Sequence, residues 1–292
     1  MRHAQLTNGG FWIIAALGLA DALLFAVTGM SLAWVPVFHI GMAALALGVL
    51  GWVYTGPRPV PRLGLLAWLG LRLILFTAAA ETLNMLLDSW LRLPLWDSRF
   101  AAADAMLDFH WPALDGWVLA HPPVHAVFSV VYLLLGPEFI ALFLLLSLTG
   151  RGAAAVRLWR LFAVTALATI LLGVLLPATG PFAWFHPPGG LAVPYVAQYA
   201  ALRDGALRTI NLATAEGLIS FPSFHACLAL LCMQAARALP GPARWPFLAL
   251  NLAIILASPS TGGHYLTDIL GGLVLASLAM RALAPRRATE TI

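Results

Sequence analysis

Charge is what this sequence has least of: only 10% of its 292 residues are Asp, Glu, Lys or Arg, against 61% hydrophobic. A soluble domain carries about 25% charged residues, so this composition excludes a water-facing globular surface. Lysine is missing altogether, and the sixteen basic residues are all arginine. Nothing resembles a soluble basic patch or a nucleic-acid motif, so nucleic acid is not expected as a partner. The isoelectric point of about 9.6 is read instead as a sign of membrane topology. Cysteine is limited to Cys227 and Cys232, five apart in one predicted helix and therefore on nearly opposite faces. A disulfide or metal pair is not expected from them, and they read as small buried apolar residues. There is no internal repeat, low-complexity segment or soluble domain.

What is abundant is apolar length. A hydrocarbon core of about 30 Å needs roughly 20 apolar residues per helix. Eight stretches are candidates: 11–30, 34–54, 63–87, 124–148, 156–176, 221–239, 245–257 (short) and 264–283. Backbone polar groups in lipid must be satisfied internally, and these runs are too continuous for barrel strands. The expected fold is an all-α polytopic transmembrane bundle of about eight spans. It divides into a three-span segment over 1–92 and a core over 93–292 with an interfacial helix and five spans. The first stretch resembles a signal peptide only loosely, because Asp21 interrupts it and no small-residue cleavage pattern is convincing. It reads as a retained helix.

Arginine placement gives the orientation. With both termini cytoplasmic, eleven arginines fall inside, among them Arg2, Arg151, Arg157, Arg160, Arg286 and Arg287. Four fall outside (Arg92, Arg99, Arg203, Arg208), and Arg72 lies within a span. The acids do the reverse. The expected location is the plasma or inner membrane. In the first long outer segment, Trp96, Phe100, Leu107 and Trp111 recur at helical spacing beside Asp97, Asp104 and Asp108, which suggests a short helix in the interface. The second, 177–220, is rich in Pro, Gly and aromatics and reads as an ordered functional loop.

Two motifs carry chemistry. In Ser220-Phe221-Pro222-Ser223-Phe224-His225, a serine and proline before an apolar run mark a helix start, with His225 in its first turn. Helix N-termini favour phosphate. In Thr261-Gly262-Gly263-His264-Tyr265-Leu266-Thr267-Asp268, glycines allow close backbone approach, and His264 and Asp268 share a helical face. A carboxylate one turn along fixes the imidazole tautomer and raises its basicity, which frees the other ring nitrogen. Both helices start on the same, extracytoplasmic side, so the two histidines can converge on one phosphorus.

PSFH at 222–225 with GGHYLTD at 262–268 resembles the type 2 phosphatidic acid phosphatase superfamily. More narrowly, with ALRDG at 201–205 and PATGP at 177–181, the chain looks like the branch containing inositol phosphorylceramide synthases and related bacterial membrane proteins. The resemblance covers roughly residues 95–280. It implies that His264 is a nucleophile forming a phosphohistidine, that Asp268 orients it, and that His225 is the general acid, with no metal or cofactor. The substrate would be a lipid phosphate or phospholipid, resolved by water or an acceptor alcohol. Phosphatidic acid, a prenyl diphosphate, a phosphatidylglycerol-type lipid and a sphingolipid are all compatible. Many members carry an arginine six residues before the nucleophile, where this chain has Ser258, and their first-motif lysine is absent. Phosphate charge is then expected to fall to Arg203 and Arg208, with Ser223 and Gly263 alongside; capping is an alternative role for Ser223.

Other polar residues have plainer readings. His121 and His125 are four apart but lack an evident third metal ligand. Asp21, Arg72 and Glu138 lie at similar depth and are expected to meet as a buried clamp, a proton pathway being the sharper alternative. Glu81 is better placed to border the outer cavity. A non-catalytic transporter or scaffold on the same architecture is the competing function.

Overall fold

The computed structural model describes residues 10–185 and 194–284; Arg2, His186, Arg286 and Arg287 lie outside them. The chain is nearly all helical. It begins with α1 (Phe11–Thr28), α2 (Trp34–Thr55) and the long α3 (Pro61–Leu91). The short α4 (Asp97–Met106) and α5 (Trp111–Leu119) follow, then α6 (Pro122–Leu133), α7 (Leu135–Leu148) and α8 (Gly152–Leu175). Two helices sit in the long loop, α9 (Pro181–Phe185) and α10 (Pro194–Asp204). The last three are α11 (Phe224–Ala236), α12 (Trp245–Thr261) and α13 (Leu266–Ala282). Proline opens α3, α5, α6 and α12 at the first or second position, where its missing N–H has no helical partner to lose.

Most of α8 is buried, whereas α1 and α2 fully bury very few of their side chains. Exposed Trp34, Leu19 and Leu45 would be a liability in water and suit hydrocarbon. α3 packs against α1, α2 and α8, while α11 packs against α8, α12 and α13. At the junction of α3 and α8, Phe76 meets Trp159 and Phe162 edge-on, with centroids 5.4 and 5.7 Å apart. A two-residue parallel pairing links β1 (Ser31–Leu32) to β2 (Thr209–Ile210), and so the first helices to the loop before α11.

Among the described residues, four helices are long and apolar enough to cross a membrane: α1, α2, α3 and α8. α5 and α6 qualify as a pair but are bent by 107°. These helices and the family reported below make this a membrane protein, but helix length alone does not reach eight spans. The stretch expected to be one span over 124–148 is two helices broken at Leu134. The ring of Pro137 excludes the carbonyl four residues earlier, at Leu133, which accounts for the break. α11 is shorter than the run over 221–239 suggested.

The acidic stripe of α4 is also corrected: Asp97 and Asp104 are buried, while Met106 and Leu107 are exposed. Glu138 does not complete the expected cluster on α1 and α3. Its Oε1 accepts from Asn251 Nδ2 of α12, 2.5 Å away, while the Arg72 guanidinium lies over the Phe11 ring at 5.0 Å.

Candidate active site

The first turns of α11 and α13 are tied together. Ser223 caps α11, its Oγ accepting from the Ala226 N–H at 3.4 Å, and its own N–H donates to the Asp268 carbonyl at 2.9 Å. One turn along α13, a Cβ on Gly272 would stand 2.2 Å from the Ser223 carbonyl oxygen, so the helices approach this closely only because residue 272 has no side chain. Ser223 is therefore a fully buried cap and does not line the cavity described below. Gly263 does line it, with φ of 62°. That left-handed backbone, and a space where a Cβ would meet Phe182 at 2.3 Å, both demand glycine.

His264 leads into α13, and its Nδ1 lies 3.4 Å from Asp268 Oδ2. The same oxygen accepts from Ser220 Oγ at 2.7 Å and from the Tyr265 N–H at 3.0 Å. Asp268, with no exposed surface, thus fixes its own helix start and the imidazole together. His225 projects from the first turn of α11 and stacks on Tyr132, centroids 4.1 Å apart and planes at 14°. The His225 and His264 rings are 6.4 Å apart, centroid to centroid. Both line one cavity of about 480 Å³, whose walls are mostly apolar. Tyr195 reaches it from α10. Burial first, then the Asp268 and Asp97 carboxylates, push its phenol up, so it remains a hydroxyl donor at neutral pH.

The apparatus that holds this arrangement comes from α4. Asp97 accepts the N–H groups of Thr179 and Gly180 and the Tyr265 hydroxyl, each at 3.0 Å. Asp104 accepts the Leu266 N–H at 2.8 Å, the Thr267 N–H at 2.9 Å and the Thr267 hydroxyl at 2.6 Å. The first N–H groups of α13 thus already face a carboxylate, an anion at the positive end of the helix dipole. Sequence reasoning assigned these aspartates to the water side. The overlooked signal is their spacing: seven residues, two turns, on one face of a helix near two glycine turns rich in unclaimed N–H groups.

The structure does not bring the outer arginines to the histidines. Arg203 donates to the Leu93 carbonyl at 2.6 Å and to the Tyr199 hydroxyl at 3.3 Å, tethering α10 to the α3–α4 connection. Arg208 lines a separate recess with Arg92 and Thr28. No arginine lines the histidine cavity among the described residues. Ser258, at the position where an arginine is common, is buried and bonds back to the Ile254 carbonyl at 2.8 Å. His121 Nδ1 lies 2.7 Å from the Trp117 carbonyl oxygen. Among the described residues no group of three or more His, Cys, Asp or Glu is placed to hold a metal.

A family model described as the PAP2 superfamily matches residues 98–282, which includes both histidines and Asp268. No curated protein and no solved structure matches the chain.

Proposed function

The chain belongs to the PAP2 (type 2 phosphatidic acid phosphatase) superfamily, whose members are typically phosphatases or phosphotransferases, and on that premise we propose that it transfers phosphoryl groups of membrane lipids through a phosphohistidine. The observation that carries this reading is the pair of imidazoles 6.4 Å apart in one cavity, one of them backed by a buried carboxylate. With its proton on Nδ1 facing Asp268, His264 presents the Nε2 lone pair to phosphorus. The N–P bond forms as the bond from phosphorus to the leaving alcohol breaks, and His225 gives that oxygen its proton. In the second half, His225 takes the proton from an incoming water or alcohol, whose oxygen displaces Nε2.

Water makes the protein a lipid phosphatase, and an alcohol makes it a head-group transferase of the kind the inositol phosphorylceramide synthase resemblance implies. In this proposal α11, α12 and α13 also cross the bilayer, the α11 and α13 starts face the extracytoplasmic side, both termini are cytoplasmic, and lipid reaches the cavity laterally. No metal takes part.

The test is release of phosphate or head group from a panel of phospholipids by detergent-purified protein in chelator, with and without an alcohol acceptor. Wild type should turn over at least one lipid, and His264→Ala should lose on the order of 10⁴-fold or more, as removal of a nucleophile does. Undiminished turnover by His264→Ala would end the phosphohistidine mechanism. Inactivity of the wild type on the whole panel would favour a non-catalytic lipid transporter or scaffold.

A further inference from the structure

The cavity has a second polar surface, which the histidine chemistry leaves unused. α3 contributes Glu81 and Asn84, three residues apart and therefore on one helical face. α8, packed against α3, contributes Thr169. Glu81 Oε1, Asn84 Oδ1 and Thr169 Oγ1 are all buried without a hydrogen-bond partner among the described residues. Asn84 is 2% exposed and Thr169 is 1% exposed. Around them this wall is formed largely by Phe76, Ala80, Phe162, Ala166 and Ile170, with Thr77 one turn before Glu81 making no hydrogen bond to the three atoms. A fourth such atom on the cavity, Thr261 Oγ1, belongs to the end of α12, three residues before His264. Folded proteins leave few such atoms unpaired, and the three on the α3–α8 wall point to a ligand that pairs them.

The chemistry of the three atoms selects that ligand. A carboxylate oxygen and an amide carbonyl oxygen can only accept, and a hydroxyl can accept as well, so the partner must be a donor. The lining also holds two carboxylates, Glu81 and Glu216, and no arginine among the described residues. A primary ammonium carries three N–H donors and the positive charge that a buried carboxylate lacks here. A quaternary ammonium has no N–H to give and is held by aromatic cages. A polyol brings donors but no charge, and a phosphomonoester dianion would add to the negative charge.

We infer that Glu81, Asn84 and Thr169 form a recognition site for a primary ammonium, so that the lipid whose phosphate meets His225 and His264 is a zwitterionic phosphodiester with an amine head group. Glu81 and Asn84 on α3 lie before the segment matched by the family model, whereas Thr169 on α8 lies within it, so the site joins the N-terminal helices to the matched core. The inference rests on the proposed function for events at phosphorus, whereas ammonium binding needs no turnover.

Two measurements test it. Calorimetric binding to purified His264→Ala protein compares short-chain phosphatidylethanolamine with phosphatidylcholine, phosphatidylglycerol and phosphatidic acid of the same chain length. The ethanolamine lipid should bind at least about tenfold more tightly. Adding Glu81→Gln should erase that preference, and Glu81→Asp should keep part of it. Equal affinity for all four lipids, or a preference that survives Glu81→Gln, overturns the proposal. In turnover assays, Glu81→Gln should raise KM for the ethanolamine lipid about tenfold while kcat falls by less than about threefold. A fall in kcat shared by every lipid assigns Glu81 to chemistry or folding and overturns it equally. Loss of the catalytic reading looks different: ethanolamine-selective binding would persist with no His264-dependent turnover of any lipid.

Discussion

Around the histidines, Asp97 and Asp104 each take three hydrogen bonds, and one oxygen of Asp268 faces three donors. On the α3–α8 wall of the same cavity, Glu81, Asn84 and Thr169 each keep a buried atom unpaired. The first region has most of its polar groups held before any lipid arrives, although Asp268 Oδ1 and Thr261 Oγ1 are buried there without a partner among the described residues, so comparatively little reorganisation remains for the proposed reaction. The second has polar groups whose partners are still to come. On the proposed reading, rigidity is invested where bonds would break, and unsatisfied bonding capacity lies where a substrate would be sorted.

The largest effect that could break this comparison lies at His225. His225→Ala should cut turnover of natural lipids by roughly 10³-fold, within the range of a lost general acid. In the first, phosphoenzyme-forming step followed in a single turnover, the loss should nearly vanish for an aryl phosphate ester, whose leaving group needs no proton; an equal loss in that step on both substrates would remove the acid role. Next comes Asp268→Asn, which keeps the shape but supplies the wrong charge to His264 Nδ1. It should lower kcat by about 10²-fold with little change in KM, read from steady-state kinetics.

Asp104→Asn sharpens the comparison further from the chemistry. It turns an amide N–H toward a backbone N–H at the start of α13, so thermal unfolding in detergent should report a loss of about 1–3 kcal/mol. Turnover should fall about tenfold as the histidine loop loosens. If stability drops and kcat does not, α4 is scaffolding only. The smallest effect belongs to Arg203→Gln: about 1 kcal/mol of stability from the lost Leu93 contact, and less than a threefold change in KM for any lipid. A tenfold rise in KM would return Arg203 to the phosphate.

Much of the histidine end was legible because its signals are local. A serine and proline before an apolar run, a pair of glycines, and an acid four residues after a histidine each fix geometry within one or two turns. The apolar runs likewise announced helices. What was not legible depends on which faces meet. Aspartates beside tryptophans look solvated until α4 is seen against the Thr179–Gly180 turn, 82 residues away. Arg203 looks free until the Leu93 carbonyl, 110 residues distant, is beside it. Glu138 pairs with an asparagine that no motif marks. Glu81 could be assigned to the cavity border from its helix face, but Asn84 and Thr169 join it only once α3 is known to pack on α8. Pro137 was visible throughout, and its break was hidden by the uninterrupted apolar composition on either side.

The shortness of α11 carries a last consequence. Its 13 residues rise about 20 Å at 1.5 Å each, whereas the hydrocarbon layer is about 30 Å thick. In the proposed orientation, with α11 ending at the cytoplasmic interface, its leading turn and His225 would stop about 10 Å beneath the outer one. The reaction centre would then be submerged. A lipid would have to lower its phosphate below the plane of its neighbours, or the bilayer would have to dip to meet it. At that depth water would be scarce, and the lifetime of the proposed phosphohistidine would be set by how rarely a water molecule finds it.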